Sequence, residues 1–198
     1  MYTKFGYAIV VFDNRGSNNR GMDFEGEIKG NLGKVEIDDQ VAGLNHVART
    51  FGVIDLTRVA VEGWSYGGYM ALMCLAKRPQ IFKIAIAGAP VTDWKLYDTA
   101  YTERYLGLPA TNPRGYKESS VLNYIDQFPS EPNRLLIFHG MIDENVLFYN
   151  TTQLIEKLTQ KGKPYDFKIF PQERHSLRSN SSINFYEITV LNYLAHHL

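Results

Sequence analysis

The sequence predicts a single α/β domain built on a mostly parallel sheet with helices on both faces. Short runs rich in valine, isoleucine and phenylalanine alternate with stretches of helical spacing, which is the pattern of β-α-β units. A chain of 198 residues can bury one sizeable core and is short for two. Its 21 acidic and 21 basic residues balance, so charge does not point to nucleic acid or to a membrane surface as a partner.

Five runs are predicted to be core strands, and four stretches are predicted to be helices. The strands are expected at residues 6–12, 58–62, 81–87, 134–139 and 165–170. The helices are expected at residues 35–51, 66–77, 150–161 and 184–198. Residues 93–132 are less regular, which predicts loops and short helices over the sheet. In the last helix, apolar residues return every three or four positions, so one face is expected to pack on the core or on a partner: Phe185, Ile188, Leu191, Leu194 and Leu198.

The lone cysteine and the short apolar runs bear on location and cofactors. Cys74 lies among apolar residues, cannot form an internal disulfide and is expected to be a buried small hydrophobe. The apolar runs are too short to cross a bilayer, and residues 1–5 lack the pattern of a signal peptide, which together predict a reducing, cytoplasmic setting. Neither a metal nor a cofactor is expected, because no histidine pair has metal-ligand spacing and the loop at residues 16–21 lacks a nucleotide-binding fingerprint.

The strongest functional signal is the motif Gly63-Trp64-Ser65-Tyr66-Gly67. A predicted strand precedes it and a predicted helix follows it, which is the context that a nucleophile elbow requires. Ser65 is then expected to be a strained nucleophile, with the glycines two places before and after it leaving room for strand and helix to pack closely. The backbone N–H of Tyr66 would face the developing oxyanion at the helix N-terminus. The motif therefore predicts the α/β-hydrolase fold and a serine hydrolase.

The acid and the base are expected to follow the serine, each on a loop after a later strand. Asp143 follows the fourth predicted strand, and His175 follows the fifth. Asp143 would hold the imidazole of His175 in the tautomer that accepts the serine proton. Glu144 is the alternative for the acid role. The other histidines, among them His139 at a strand end, are expected to be structural or solvated.

Longer motifs make the chain similar to a known family. Gly-Trp-Ser-Tyr-Gly-Gly-Tyr stands at 63–69, Ala-Gly-Ala-Pro-Val-Thr-Asp-Trp at 87–94 and Tyr-Asp-Thr-Ala-Tyr-Thr-Glu-Arg-Tyr at 97–105. Asp-Glu-Asn-Val follows at 143–146, and Pro-Gln-Glu-Arg-His-Ser at 171–176. With these motifs the chain resembles the prolyl oligopeptidase family (serine peptidase family S9) from end to end, and most closely the cytosolic members of its dipeptidyl peptidase branch.

The resemblance implies a peptidase that removes a dipeptide from peptides whose second residue is proline or alanine. It implies a triad of Ser65, Asp143 and His175 and an oxyanion hole that includes the Tyr66 N–H, while Asn145 matches a polar group that holds a substrate carbonyl. The proline pocket is implied to be lined by Val91, Trp94, Tyr97, Tyr101 and Val146. Aromatic walls suit a proline ring, which is flat, apolar and lacks an N–H. Alternatively, the three aromatic residues, at spacings of three and four, form the buried face of a helix.

The resemblance covers only part of what relatives of this kind contain. They carry a β-propeller before the hydrolase domain, and neither the propeller, the early strands nor the loop that supplies the second oxyanion donor is matched. Residues 1–198 are therefore expected to be the C-terminal portion of the catalytic domain, weakly active or inactive alone, and to form a homodimer in part through residues 184–198. Two alternatives stay open: another α/β-hydrolase, such as an esterase or an acylaminoacyl peptidase, and a non-catalytic dimerisation fragment.

Overall fold

The computed structural model describes residues 2–198. Within them, four strands form one parallel sheet: β1 (Ala60–Trp64), β2 (Ile84–Gly88), β3 (Leu135–Gly140) and β4 (Asp166–Phe170). The strands lie side by side in chain order, with Trp64 beside Gly88 and Gly140 beside Phe170. All four carboxyl ends therefore lie at the same edge of the sheet, where loops of α/β proteins form ligand sites. The predicted parallel α/β sheet is confirmed.

Helices and short 3₁₀ turns connect these strands. The α-helices are α1 (Met22–Gly26), α2 (Val35–Phe51), α3 (Tyr66–Lys77), α4 (Thr99–Leu106), α5 (Pro113–Ser119), α6 (Tyr149–Gln160) and α7 (Asn180–His197). The 3₁₀ turns are Tyr2–Phe5, Trp94–Leu96, Val121–Asn123 and Ile125–Gln127. The predicted helices are present with small shifts at their ends, and residues 93–132 form the expected loops and short helices. Asp98 and Asn112 fix the starts of α4 and α5 by accepting backbone N–H bonds of 2.8 and 2.9 Å.

The sheet is buried on both faces, because alternate residues of its central strands enter different cores. Ala85 and Ile137 belong to a large core that contains most of α3. Ile86 and Leu136 belong to a smaller core with Val190 of α7. Helices therefore cover both faces, as predicted, and α3 carries Ser65 at its start.

The inward face of α7 differs from the predicted one. Val190, Tyr193 and Leu194 are buried against the sheet, whereas Phe185 is 49% exposed and Ile188 is 59% exposed. The helix is apolar on most sides, so a repeat of three or four residues does not by itself select the face that meets the core. Of the predicted face, Leu194 packs on the core, whereas Phe185 and Ile188 do not, so for these two the expected packing on a partner stays a prediction.

Residues 6–12 do not form the predicted strand. They run as irregular chain, and Ile9 and Val11 are 54% and 85% exposed. A strand needs a hydrogen-bonded neighbour, and the described strands place β1 and β4 at the two edges of the sheet without this segment beside either of them. The run is rich in β-branched residues, which favour a strand, but no strand lies beside it to pair with.

Two further predictions concern the burial of Cys74 and the ability of the helices to span a membrane. Cys74 is 1% exposed within α3, and burial, the main cause, raises the pKa of its thiol to about 12, which confirms an inert core residue. Among the helices of residues 2–198, none combines the length and the apolar character that crossing a bilayer requires.

Candidate active site

Ser65 occupies the sharp turn between β1 and α3. Its φ is 60° and its ψ is −115°, a conformation that a residue with a side chain rarely adopts. Its backbone N–H donates to the carbonyl of Gly88 on the neighbouring strand at 2.8 Å, which holds the turn against the sheet. The side chain is therefore presented at the carboxyl edge of the sheet by a backbone that the surrounding fold keeps strained.

Glycines around Ser65 allow strand and helix to approach. A Cβ at Gly63 would lie 2.4 Å from the backbone carbon of Gly67, and one at Gly68 would lie 2.4 Å from the carbonyl oxygen of Gly88. A Cβ at Gly67 would meet nothing within 4 Å. The close approach thus depends on Gly63 and Gly68, whereas the sequence motif points to Gly63 and Gly67.

Tyr66 is the first residue of α3, so its backbone N–H belongs to the first turn, where helical N–H groups lack intrahelical acceptors. Its hydroxyl donates to Glu36, which is buried and also accepts the N–H groups of Gly33 and Lys34 at 3.0 and 2.9 Å. Burial and the nearby Glu36 raise the pKa of Tyr66 well above its usual value. The side chain therefore stays protonated and anchored, while the backbone N–H lies at the helix start beside Ser65.

Asp143 and His175 meet at the same edge of the sheet. Asp143 lies on the loop after β3, and His175 lies on the loop after β4. His175 Nδ1 is 2.8 Å from Asp143 Oδ2, and the carboxylate is fully buried while the imidazole is 17% exposed. A carboxylate can only accept, so Nδ1 carries the proton and Nε2 is left free as a base. The structure gives no hydrogen bond between Ser65 Oγ and His175 within the described residues; such bonds are often long in a ligand-free site.

Four donors surround the carboxylate of Asp143. Oδ1 accepts the backbone N–H groups of Asn145 and Val146 at 2.9 and 3.0 Å, and Oδ2 accepts from His175 and His139. Burial opposes ionisation, but the hydrogen bonds from both histidines and from Asn145 outweigh it and hold the pKa of Asp143 far below its usual range. The carboxylate therefore stays anionic beside His175 and does not take its proton.

Glu144, the alternative acid, lies next to Asp143 but points elsewhere. Its side chain is 52% exposed and forms an ion pair with Arg174 at 3.6 Å. The ring of His175 is hydrogen-bonded to Asp143 instead. The geometry therefore supports Asp143 over Glu144 as the orienting acid.

Trp64 connects the turn that carries Ser65 to the loop that carries His175. Its indole Nε1 donates to the backbone carbonyl of His175 at 2.7 Å, and the ring of Tyr186 contacts it edge-on at 5.7 Å. Gly140 lets the two loops approach, since a Cβ there would lie 2.4 Å from the carbonyl oxygen of Arg174. Sequence reasoning assigned no role to Trp64, although its place beside Ser65 in the motif was visible.

Five aromatic rings pack beside the turn. Trp94 stacks on Tyr101 with centroids 5.8 Å apart and 12° between planes, and its edge or face also contacts Tyr97, Tyr66 and Tyr69. Of the three aromatic residues expected in the pocket, Trp94 lies on a 3₁₀ turn, Tyr97 follows that turn, and only Tyr101 belongs to a helix, α4. These residues are therefore not one face of a helix, and the cluster is formed by tertiary packing.

The residues expected to form the proline pocket fall into a buried group and a solvent-exposed group. Val91, Trp94 and Val146 are only 1 to 2% exposed and belong to the core behind the cluster. Tyr97 and Tyr101 are partly exposed, and Tyr97 donates to the side-chain oxygen of the exposed Asn145 at 2.6 Å. Tyr97, Tyr101 and Asn145 are therefore the solvent-accessible members of the expected pocket, and the other three are buried.

A second histidine, His139, reaches the Asp143 carboxylate from the end of β3. It is fully buried, and its Nε2 lies 3.2 Å from Asp143 Oδ2. The sequence suggested only a structural histidine there; the spacing of four residues between it and the acid was the available signal. Within residues 2–198, the His, Cys, Asp and Glu side chains form no group of three that could hold a metal ion.

Comparison with known proteins shows that the chain is similar to peptidases in sequence and in fold. The model of the prolyl oligopeptidase family matches residues 1–198. Dipeptidyl peptidase 8 from Homo sapiens and from Mus musculus are each 55% identical to the chain over 193 residues, which is 98% of this chain and 22% of theirs. The crystal structure of Porphyromonas gingivalis dipeptidyl peptidase 4 is 36% identical and superposes with a TM-score of 0.87, covering 94% of this chain and 26% of that one. The chain thus spans about a fifth of the length of these curated relatives.

Proposed function

Because the chain belongs to the prolyl oligopeptidase family, we propose that it is the part of a serine-type dipeptidyl peptidase that carries the catalytic triad. One observation carries the proposal: Asp143 is hydrogen-bonded to His175 at the edge of the sheet where the strained turn of Ser65 lies. The dipeptidyl peptidases among the relatives support the reaction class.

In the proposed mechanism Ser65 Oγ attacks the scissile carbonyl while His175 Nε2 takes its proton. The buried anion of Asp143 stabilises the imidazolium that forms. The backbone N–H of Tyr66 stabilises the oxyanion from the start of α3. His175 then gives its proton to the leaving amine, which leaves the dipeptide as an ester on Ser65. Water, activated by His175, hydrolyses this ester, releases the dipeptide and restores the serine hydroxyl.

The aromatic surface near Ser65 supports the substrate class that the family resemblance implies. Tyr97 and Tyr101, supported by Trp94, offer apolar walls of the kind that suit a proline or alanine side chain at the second position. Asn145, held by Tyr97, offers a polar group for a substrate carbonyl. We therefore propose cleavage after proline or alanine at that position.

The chain alone is proposed to be weakly active or inactive towards peptides. It corresponds in length to about a fifth of its curated relatives, so the second oxyanion donor and the groups that bind the peptide amine are proposed to lie outside residues 1–198. Loss of one oxyanion donor typically lowers turnover by about a hundred- to a thousandfold.

The proposed partner, besides the peptide, is a second copy of the chain. Phe185 and Ile188 on α7 are exposed, and the ring of Phe185 contacts Phe170 of the edge strand β4 at 6.0 Å; apolar surface beside a strand edge favours association. A cytoplasmic location is proposed from the single, buried and inert Cys74.

The test compares substrates on the full-length peptidase. A glycyl-prolyl chromogenic amide should be cleaved with release of the intact dipeptide, and Ser65→Ala should abolish the reaction. A matched glycyl-aspartyl amide, which cannot use an apolar pocket, should be cleaved poorly. Faster hydrolysis of simple esters or of acetylated amino acids than of the glycyl-prolyl amide would support an esterase or an acylaminoacyl peptidase instead. Absence of any Ser65-dependent turnover would support a non-catalytic role.

A further inference from the structure

His139 has three polar neighbours in a fully buried position. Its Nε2 lies 2.9 Å from the backbone carbonyl oxygen of Val146 and 3.2 Å from Asp143 Oδ2. Its Nδ1 lies 2.7 Å from Thr151 Oγ1 on α6. The ring therefore bridges the start of α6 and the acid of the triad.

These partners define which nitrogen carries the proton. A carbonyl oxygen only accepts, so the proton is on Nε2, which is shared between Val146 O and Asp143 Oδ2. In the neutral ring Nδ1 then accepts the hydroxyl proton of Thr151. Every polar atom of the ring is satisfied in this tautomer, as a buried group requires.

We propose that His139 is a positioning residue for the triad. Its Nε2–H donates to the same carboxylate oxygen, Asp143 Oδ2, that accepts from His175 Nδ1. It thereby fixes the place of that oxygen and takes up part of its charge, which sets the basicity of His175. The inference rests on the proposed function, in which Asp143 orients His175.

Three other charged residues lie near His139, Asp143 and His175. Glu144 and Arg174 face each other at 3.6 Å on the two loops, and Glu173 is buried on the histidine loop with Ser179 as its partner. These groups keep their charges when His139 is replaced. A change in the titration of His175 would therefore report the lost donor.

Two amide substitutions at His139 test the role of its Nε2–H donor. In His139→Gln the side-chain N–H₂ reaches about as far as Nε2 and can still donate to Asp143, whereas the shorter His139→Asn reaches only the position of Nδ1 and the Thr151 hydroxyl. Without the donor, Asp143 Oδ2 presents more negative charge to His175, so we expect His175 to titrate at higher pH in His139→Asn than in the wild-type chain, and at the same pH in His139→Gln.

The measurement is an NMR titration of ¹⁵N-labelled histidines in the 198-residue chain, with the His175 signal assigned by His175→Gln. An unchanged titration midpoint of His175 in a folded His139→Asn chain would overturn the proposal, as would equal shifts in both amides. If His139→Asn does not fold, His139→Leu must give the same rise. The titration needs no turnover, so failure of the peptidase proposal would appear separately, as loss of the Ser65 requirement in the substrate test.

Discussion

At the scale of single residues, Asp143 is where the contacts of the site converge. Its carboxylate joins the loop after β3 to His175, and its other oxygen is held by the N–H groups of its own turn. Replacement of one carboxylate oxygen by an amide N–H₂ would put a donor where His175 needs an acceptor. The imidazole would then favour the wrong tautomer.

Asp143→Asn should therefore lower kcat of the full-length peptidase by about ten-thousandfold with little change in KM. Glu144→Gln is the matched control, because that neighbouring carboxylate is exposed and faces Arg174. Steady-state kinetics on the glycyl-prolyl amide gives both values. If Glu144→Gln were the more damaging change, the assignment of the acid would be wrong.

Residue order alone selected Ser65, Asp143 and His175 as candidates, because an elbow motif and two loops after later strands leave few others, and the structure joins Asp143 to His175. The contribution of His139 was not predictable in this way. It depends on a shared oxygen of Asp143 and on a hydroxyl of α6, which only side-chain packing brings together.

At the scale of elements, the junction of β1 and α3 sets the position of the nucleophile. Gly63→Ala would place its Cβ 2.4 Å from the backbone of Gly67 and should destabilise the fold by about 1–3 kcal/mol. Gly67→Ala meets open space and replaces a helical glycine, so it should be neutral or stabilising. Urea unfolding of the two variants separates these outcomes, and equal destabilisation would contradict the packing described for the turn.

The histidine loop should depend on Trp64. Trp64→Phe keeps a ring over Gly88 but removes the N–H that holds the His175 carbonyl, so fluorophosphonate labelling of Ser65 should slow by about tenfold. Tyr186→Phe keeps the ring that contacts Trp64 and loses only a hydroxyl bound to Glu62, so labelling should continue at the original rate. Equal rates in all three chains would mean that the indole N–H does not position the loop.

Most elements were predictable, and the exceptions have physical reasons. The four observed strands and the long helices follow from local pattern and burial, which agree along most of the chain. Residues 6–12 have strand composition without a neighbouring strand, and α7 is apolar on too many sides for its inward face to be chosen. Both exceptions depend on long-range contacts that a local pattern does not contain.

At the scale of the whole molecule, stability should fall in acid. Hydrogen bonds from the Ser179 hydroxyl and from the N–H groups of Arg178 and Ser179 lower the pKa of Glu173 from 4.5 to about 2, and Asp143 is lowered as well. A carboxylate whose folded pKa lies below its unfolded pKa contributes full stability above the unfolded value, and loses it as pH falls through the folded value. Stability should therefore decline from about pH 4.5 towards pH 2.

Glu173→Gln should reduce the slope of unfolding free energy against pH over that interval, whereas Glu103→Gln on the exposed side of α4 should leave it unchanged. Thermal unfolding at several pH values provides the slopes. Parallel curves for the wild-type chain and Glu173→Gln would show that this carboxylate does not contribute to acid sensitivity.

Ser65, His175 and Asp143 are proposed to form one assembled nucleophilic unit in this chain. Fluorophosphonate labelling followed by peptide mass spectrometry tests this proposal directly, because the reagent needs an activated serine and no peptide-binding groups. We expect one adduct, on Ser65, that is lost in Ser65→Ala and forms far more slowly in His175→Gln. An adduct on another residue, or an equal rate in His175→Gln, would show that the three residues do not act as one unit.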